Sequence, residues 1–155
     1  MRPAEELRYL ILAIQREGNR QLAADLRPLG VTPSQAEVLR VLSDFGPLTL
    51  VGLGELLVCE TNSSPSRLVD RLAIQGLVQR ETGPDDRRFV TLALTPDGRK
   101  VAQQIIAVES RMYEGLDQLT SGQPVEQTLR LLRALANGSP AGQALARRRG
   151  THGAG

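Results

Sequence analysis

Ser64-Pro65-Ser66-Arg67-Leu68-Val69-Asp70-Arg71-Leu72-Ala73-Ile74-Gln75-Gly76 opens on a capping hydroxyl followed by proline and closes on glycine, the start and stop signals of a helix. At 100° per residue Leu68, Val69, Leu72 and Gly76 share one face, while Arg67, Asp70 and Ile74 lie opposite with Ser66 and Arg71 flanking them. The inner face is therefore core. The outer face carries compact hydrogen-bonding groups, two guanidinium groups and one apolar residue, a mixture suited to reading a polar surface.

Upstream, Thr32-Pro33-Ser34-Gln35 combines an N-cap threonine, a proline at the first helical position and a glutamine three residues on, which predicts a capping box. The helix it opens presents Ala36, Val38, Leu39, Val41 and Leu42, then stops at Asp44-Phe45-Gly46-Pro47. A shorter helix is expected from about Thr49 with Leu50, Leu53, Leu56 and Leu57 inward, followed by a turn, Cys59-Glu60-Thr61-Asn62-Ser63. Downstream of Gly76, two strand-like stretches, Leu77 to Thr82 and Phe89 to Leu94, flank Gly83-Pro84-Asp85-Asp86-Arg87-Arg88, which reads as a hairpin with a basic tip.

Further out, Leu7, Leu10, Ile11, Ile14, Leu22 and Leu26 follow helical spacing and predict a long first helix ending near Pro28. Thr95-Pro96 repeats the cap-then-proline start and opens a long helix carrying Val101, Ile105, Ile106, Met112, Leu116 and Leu119. A last helix begins near Pro124, presents Val125, Leu129, Leu132 and Leu135, and meets the breaker Asn137-Gly138-Ser139-Pro140. Residues 139–155 read as a flexible basic tail. The long first, fifth and sixth helices carry more apolar surface than a small domain can cover alone, so a twofold homodimer is expected.

The 155 residues suffice for one domain with a real core, and the 41% hydrophobic and 23% charged content excludes disorder along the whole length. Aromatic residues are only 3%, too few for stacking platforms on single-stranded nucleic acid. One cysteine excludes an internal disulfide framework, and one histidine leaves no His/Cys cluster for zinc, so no metal and no cofactor is expected. The chain shows no nucleophile paired with a base and no phosphate-binding glycine loop, which argues against an enzyme. Apolar runs are too short to span a bilayer, and acids stand where a signal peptide needs an apolar stretch; a cytoplasmic protein is expected. Lys100 is the sole lysine, so nearly every cation is an arginine capable of bidentate contact with phosphate or guanine. Residues 1–60 carry six arginines against eight acids, whereas 61–100 carry seven bases against five acids, which places the candidate polyanion surface in the middle of the chain.

Two adjacent helices, a sharp turn, a polar-faced second helix and a basic hairpin add up to a winged helix-turn-helix, mainly α with a small β-hairpin wing, a fold that reads duplex DNA. Thr32 to Leu39, Ser66 to Leu72, Gly76-Leu77-Val78, Asp86-Arg87-Arg88 and Leu94-Thr95-Pro96-Asp97-Gly98 occur in an order and at distances that resemble the MarR family of bacterial transcriptional regulators. The resemblance covers roughly residues 5–135. It implies a single domain over 1–138, with the winged helix-turn-helix at 30–98 and dimerisation helices at 3–29 and 96–138. It also implies a homodimer with intertwined first and last helices, each subunit placing its fourth helix in a major groove and its wing in the flanking minor groove. Many members of the family respond to small aromatic or phenolic ligands held between the two regions.

The candidate DNA-binding residues are then Ser63, Ser64, Ser66, Arg67, Asp70 and Arg71 on the recognition helix and Asp86, Arg87 and Arg88 on the wing. Asp70 would repel phosphate and is read as an orienter of a neighbouring arginine. Arg88 is favoured as the minor-groove arginine, with Asp86 holding the hairpin. Tyr9 and Tyr113 are weak candidates for a ligand pocket against a core or dimer-interface role. Cys59 precedes a helix N-terminus that could favour thiolate, but it has no resolving partner, and a small buried cysteine is the preferred reading. His152 falls in the tail without partners, against a metal role. The expected function is a DNA-binding regulator, a repressor on a palindromic operator released by a small ligand. The alternative is a winged-helix protein-interaction module without sequence-specific DNA binding.

Overall fold

Five helix starts among the described residues use the same local device. Thr32, Thr49, Ser64, Thr95 and Ser139 each accept, through the side-chain oxygen, a hydrogen bond from the backbone amide three residues on. At Thr32 the capping box is complete, because the Gln35 carboxamide oxygen accepts from the Thr32 amide at 2.9 Å while the Gln35 amide donates to Thr32 Oγ1 at 3.3 Å. A computed structural model of the chain describes residues 1–59, 64–82 and 90–152, with side chains to residue 150. In chain order the elements are α1 (Pro3–Leu26), α2 (Pro33–Phe45), α3 (Leu50–Gly54), α4 (Pro65–Ile74), β1 (Val78–Thr82), β2 (Val90–Leu94), α5 (Pro96–Leu119), α6 (Val125–Ala136) and α7 (Pro140–His152), with a 3-10 turn at Arg27–Leu29 after α1. The chain is mainly helical with one antiparallel hairpin, as the winged helix-turn-helix reading requires.

The core is the helix-turn-helix and what lies on it. Leu26, Val38, Leu39, Leu53, Leu72 and Ile105 are fully buried, joining the end of α1 to α2, α3, α4 and the middle of α5. β1 and β2 pair from Val78 opposite Leu94 to Thr82 opposite Val90. Leu48, ahead of α3, adds an isolated bridge to β2 through reciprocal bonds with Leu92 at 3.1 and 2.7 Å. The base of the hairpin is held from both sides. Gly76 takes φ +73° and ends α4, with the Leu77 amide reaching back to the Leu72 carbonyl at 2.9 Å. The Thr95 hydroxyl donates to the Gly76 carbonyl at 2.6 Å, and the Thr95 amide donates to the Leu77 carbonyl at 3.1 Å. Gly98 allows this approach, since a Cβ there would lie 1.9 Å from the Leu77 carbonyl oxygen.

Two expectations change. α3 is five residues long rather than running on to Leu57, and Leu50 is exposed; only Leu53 is fully buried, and Leu56 and Leu57 sit half-buried in the 3-10 turns that follow. Gly52 and Gly54 weaken its propagation, and its neighbours hold it for a single turn or so. The segment read as a tail is α7, which opens on a Ser139 cap, buries Ala144 and sends its arginines to the end of α3.

The outer helices carry apolar surface that this chain does not cover. Leu10 and Ile14 on α1 are 53% and 70% exposed, Leu119 on α5 is 80% exposed, and α6 has no buried residue although Val125, Leu129, Leu132 and Leu135 line one side of it. Large apolar side chains left open along three helices mark these faces as candidate interaction surfaces. Among the described residues no helix is long and apolar enough to cross a membrane.

Candidate nucleic-acid interface

α4 buries Leu68, Val69 and Leu72 and turns Ser64, Ser66, Arg67, Asp70, Arg71 and Ile74 to solvent, the division anticipated from the helical spacing. Its two ends are tied down. At the start, Ser64 Oγ accepts from the Arg67 amide at 3.4 Å, so this hydroxyl is engaged as the helix cap. At the end, Gln75 donates from its carboxamide to the Gly30 carbonyl at 3.1 Å and accepts from Gln35 at 3.3 Å, linking the end of α4 to the start of α2.

Among the described residues, no hydrogen bond or ion pair engages the guanidinium of Arg67 or of Arg71. Spaced four apart, they project from successive turns of the exposed side. Asp70 does not orient either of them. Its carboxylate pairs with Arg80 on β1, both side chains about half-exposed, so the ion pair spans from α4 to the first strand of the hairpin. The sequence reading missed Arg80 because nothing local marks it: its partner is across the fold. Ser63, Asp86, Arg87 and Arg88 lie outside the described residues, as does the side chain of His152.

Behind α4 the backbone between α3 and α4 is gripped by side chains. Glu37 on α2, only 8% exposed, accepts from the Val58 amide at Oε1 and from the Cys59 amide at Oε2, both at 2.8 Å. Arg148 on α7 pairs with the same carboxylate at 2.5 Å and donates from Nε to the Leu56 carbonyl at 2.7 Å. Cys59 is exposed rather than part of the core. Lost hydration around its thiol, and then the charge and hydrogen bond of Glu37, push it up to about 12, the opposite of the helix-terminus effect that would favour thiolate.

A cavity of about 310 Å³ opens between α1, α2, α5 and α7, with Tyr113, Arg40, Met112, Phe45, Cys59 and Arg148 in its wall. Arg40 there bonds Glu109 of α5 at 2.9 Å and Asp44 at 3.1 Å; burial nevertheless raises Glu109, and burial with the Glu109 charge raises Tyr113. Tyr9 is not in this wall but on α1, half-exposed, with the Arg8 guanidinium 5.0 Å from its ring centroid, so the two tyrosines do not share a site.

Residues 31–90 match the MarR family model, the stretch from the capping box of α2 to the first residue of β2. The chain belongs to the MarR family. This MarR-family chain is 34% identical over 95 residues to the multiple antibiotic resistance protein MarR of Salmonella typhimurium, covering 61% of the chain and 65% of that relative. The chain thus spans just under two thirds of the length of the MarR relatives it matches. It is 28% identical over 128 residues to the organic hydroperoxide resistance transcriptional regulator of Bacillus subtilis, covering 78% and 86% of the two chains. Among solved structures, a cysteine-to-serine variant of MarR from Escherichia coli complexed with operator DNA aligns with TM-score 0.67 at 27% identity, over 84% of this chain and 91% of that one.

Proposed function

We propose that this chain is a DNA-binding transcriptional regulator that acts as a homodimer on a palindromic operator. The observation that carries the reading is the outer face of α4, where Arg67 and Arg71 stand exposed with no partner among the described residues, beside a hairpin tied to the helix by Asp70 and Arg80. Guanidinium groups held on a rigid helix with open donors are suited to phosphate oxygens and guanine edges. That the relative from Escherichia coli was solved with operator DNA supports the same reading. The exposed apolar sides of α1, α5 and α6 would meet across the twofold axis, placing the two α4 helices in successive major grooves about one helical turn apart.

Repression released by a small aromatic ligand fits the cavity beside Tyr113, which lies between the dimerisation helices and the DNA-reading unit. The role proposed is binding rather than catalysis. A purely protein-binding module would present an apolar or acidic recognition face, whereas this one carries arginine and serine. A mobility shift on palindromic duplexes taken from the chain's own upstream region tests the proposal: retention of one duplex against excess random competitor supports it, and equal displacement by any duplex contradicts it.

A further inference from the structure

The backbone from residue 55 to 59, which ends α3 and leads toward the recognition helix, is bonded to side chains from two distant elements. Arg147 donates to the Glu55 carbonyl at 3.1 Å and Arg148 to the Leu56 carbonyl at 2.7 Å. Glu37 takes the amides of Val58 and Cys59. Two basic groups thus cover carbonyls at the C-terminal end of a helix and one carboxylate covers the amides beyond it, the arrangement that the backbone charges favour. A carboxylate 8% exposed costs free energy unless it is paired, and Arg148, bonded to its Oε1, supplies the pairing.

α7 is itself held at its other end. The Ser139 side chain accepts from the Gly142 amide at 3.0 Å and donates to the Ala136 carbonyl at 2.7 Å, and a Cβ at Gly142 would lie 2.1 Å from that same carbonyl oxygen. The corner between α6 and α7 is therefore tight. α6 carries the exposed apolar surface, α7 turns directly off it, and the arginines of α7 end on the α3–α4 turn.

We propose that α7 is a positioning element for DNA reading, in which Arg148, acting through Glu37, sets the backbone that delivers α4 to the duplex. This inference rests on the reading of α4 as the DNA-recognition helix. Arg148 touches no base or phosphate in this scheme; it acts on the angle and register of α4. Arg148→Met keeps the apolar stem but removes the bonds to Leu56 and Glu37 and the charge that compensates Glu37. Arg148→Lys restores the charge.

The test uses the full-length protein with Arg148→Met, Arg148→Lys, Glu37→Gln and the double variant, read by operator and random-duplex affinity, sedimentation, and amide exchange at Val58 and Cys59. We expect Arg148→Met to lose about tenfold in operator affinity, the size of a charge-assisted bond, with a smaller loss on random duplex. The dimer should persist, exchange at Val58 and Cys59 should rise, and Arg148→Lys should recover part of both changes. The losses of Arg148→Met and Glu37→Gln should be less than additive in the double variant, because both break one chain of contacts. Wild-type exchange at Val58 and Cys59 in Arg148→Met, or fully additive losses, would overturn the proposal. If the unsubstituted protein prefers no duplex, the DNA reading fails instead, and exchange at the two amides still decides whether Arg148 holds the turn.

Discussion

Asp70 on α4 and Arg80 on β1 form an ion pair, so the recognition helix and the wing strand are joined across the surface proposed to face DNA. Half-exposed pairs of this kind contribute about 0–1 kcal/mol to stability, and Asp70→Ala should leave the thermal midpoint nearly unchanged. Its effect on binding has an informative sign. Losing an acid ought to tighten binding to any duplex by charge alone, whereas loosening Arg80 should weaken discrimination. We expect the ratio of operator to random-duplex affinity to fall in Asp70→Ala. An increase in both affinities with the ratio preserved would reduce Asp70 to a source of repulsion.

Arg67 projects from the first turns of α4, the part of a recognition helix that reaches base edges. Arg67→Ala should cost about 1–3 kcal/mol on the operator and relax base preference at one position per half-site. Equal weakening on operator and random DNA would make Arg67 a phosphate contact.

Gly98 tests the seating of the wing on α5. A methyl group there meets the backbone carbonyl of Leu77, which cannot swing aside as a flexible side chain would. Gly98→Ala should destabilise by about 1–3 kcal/mol through overpacking. For a chain of this size that is a fall of roughly 3–10 °C in thermal midpoint, measured by circular dichroism. An unchanged midpoint would mean that α5 does not approach the hairpin so closely.

Cys59 should be a poor nucleophile despite its exposure. With the thiol pushed up to about 12, the thiolate fraction at pH 8 is on the order of one in ten thousand, and alkylation should be far slower than for an ordinary exposed cysteine. Because the raised value keeps the thiol protonated, the rate should keep climbing with pH well past the usual cysteine range. Glu37→Gln, which removes a negative neighbour, should accelerate it at neutral pH. Rapid labelling of the unsubstituted protein at pH 7 would contradict this environment.

Much of the fold was legible because its signals are local. Thr32-Pro33, Ser64-Pro65 and Thr95-Pro96 start helices through bonds made within three residues, and Gly76 ends one by its own backbone conformation. The inward side of α4 followed from helical spacing alone. What escaped was decided at a distance. Residues 140–152 open on the local cap Ser139-Pro140, but the partner of Arg148, Glu37, lies 111 residues earlier. Nothing beside Arg80 in the sequence marks it as the partner of Asp70, which lies on another element. At Cys59, lost hydration and then the nearby Glu37 outweigh the helix terminus that the sequence brought to mind, and neither is visible in the residues flanking it.

Sedimentation of the protein with a palindromic duplex from its own upstream region, in the presence of excess random DNA, tests the regulator reading most directly. We expect a single complex whose mass equals two chains and one duplex, and which persists in the competitor. Substituting either half-site should dissolve it. A monomer on the duplex, or a complex that random DNA displaces as readily as the palindrome does, would contradict a dimeric, sequence-reading regulator.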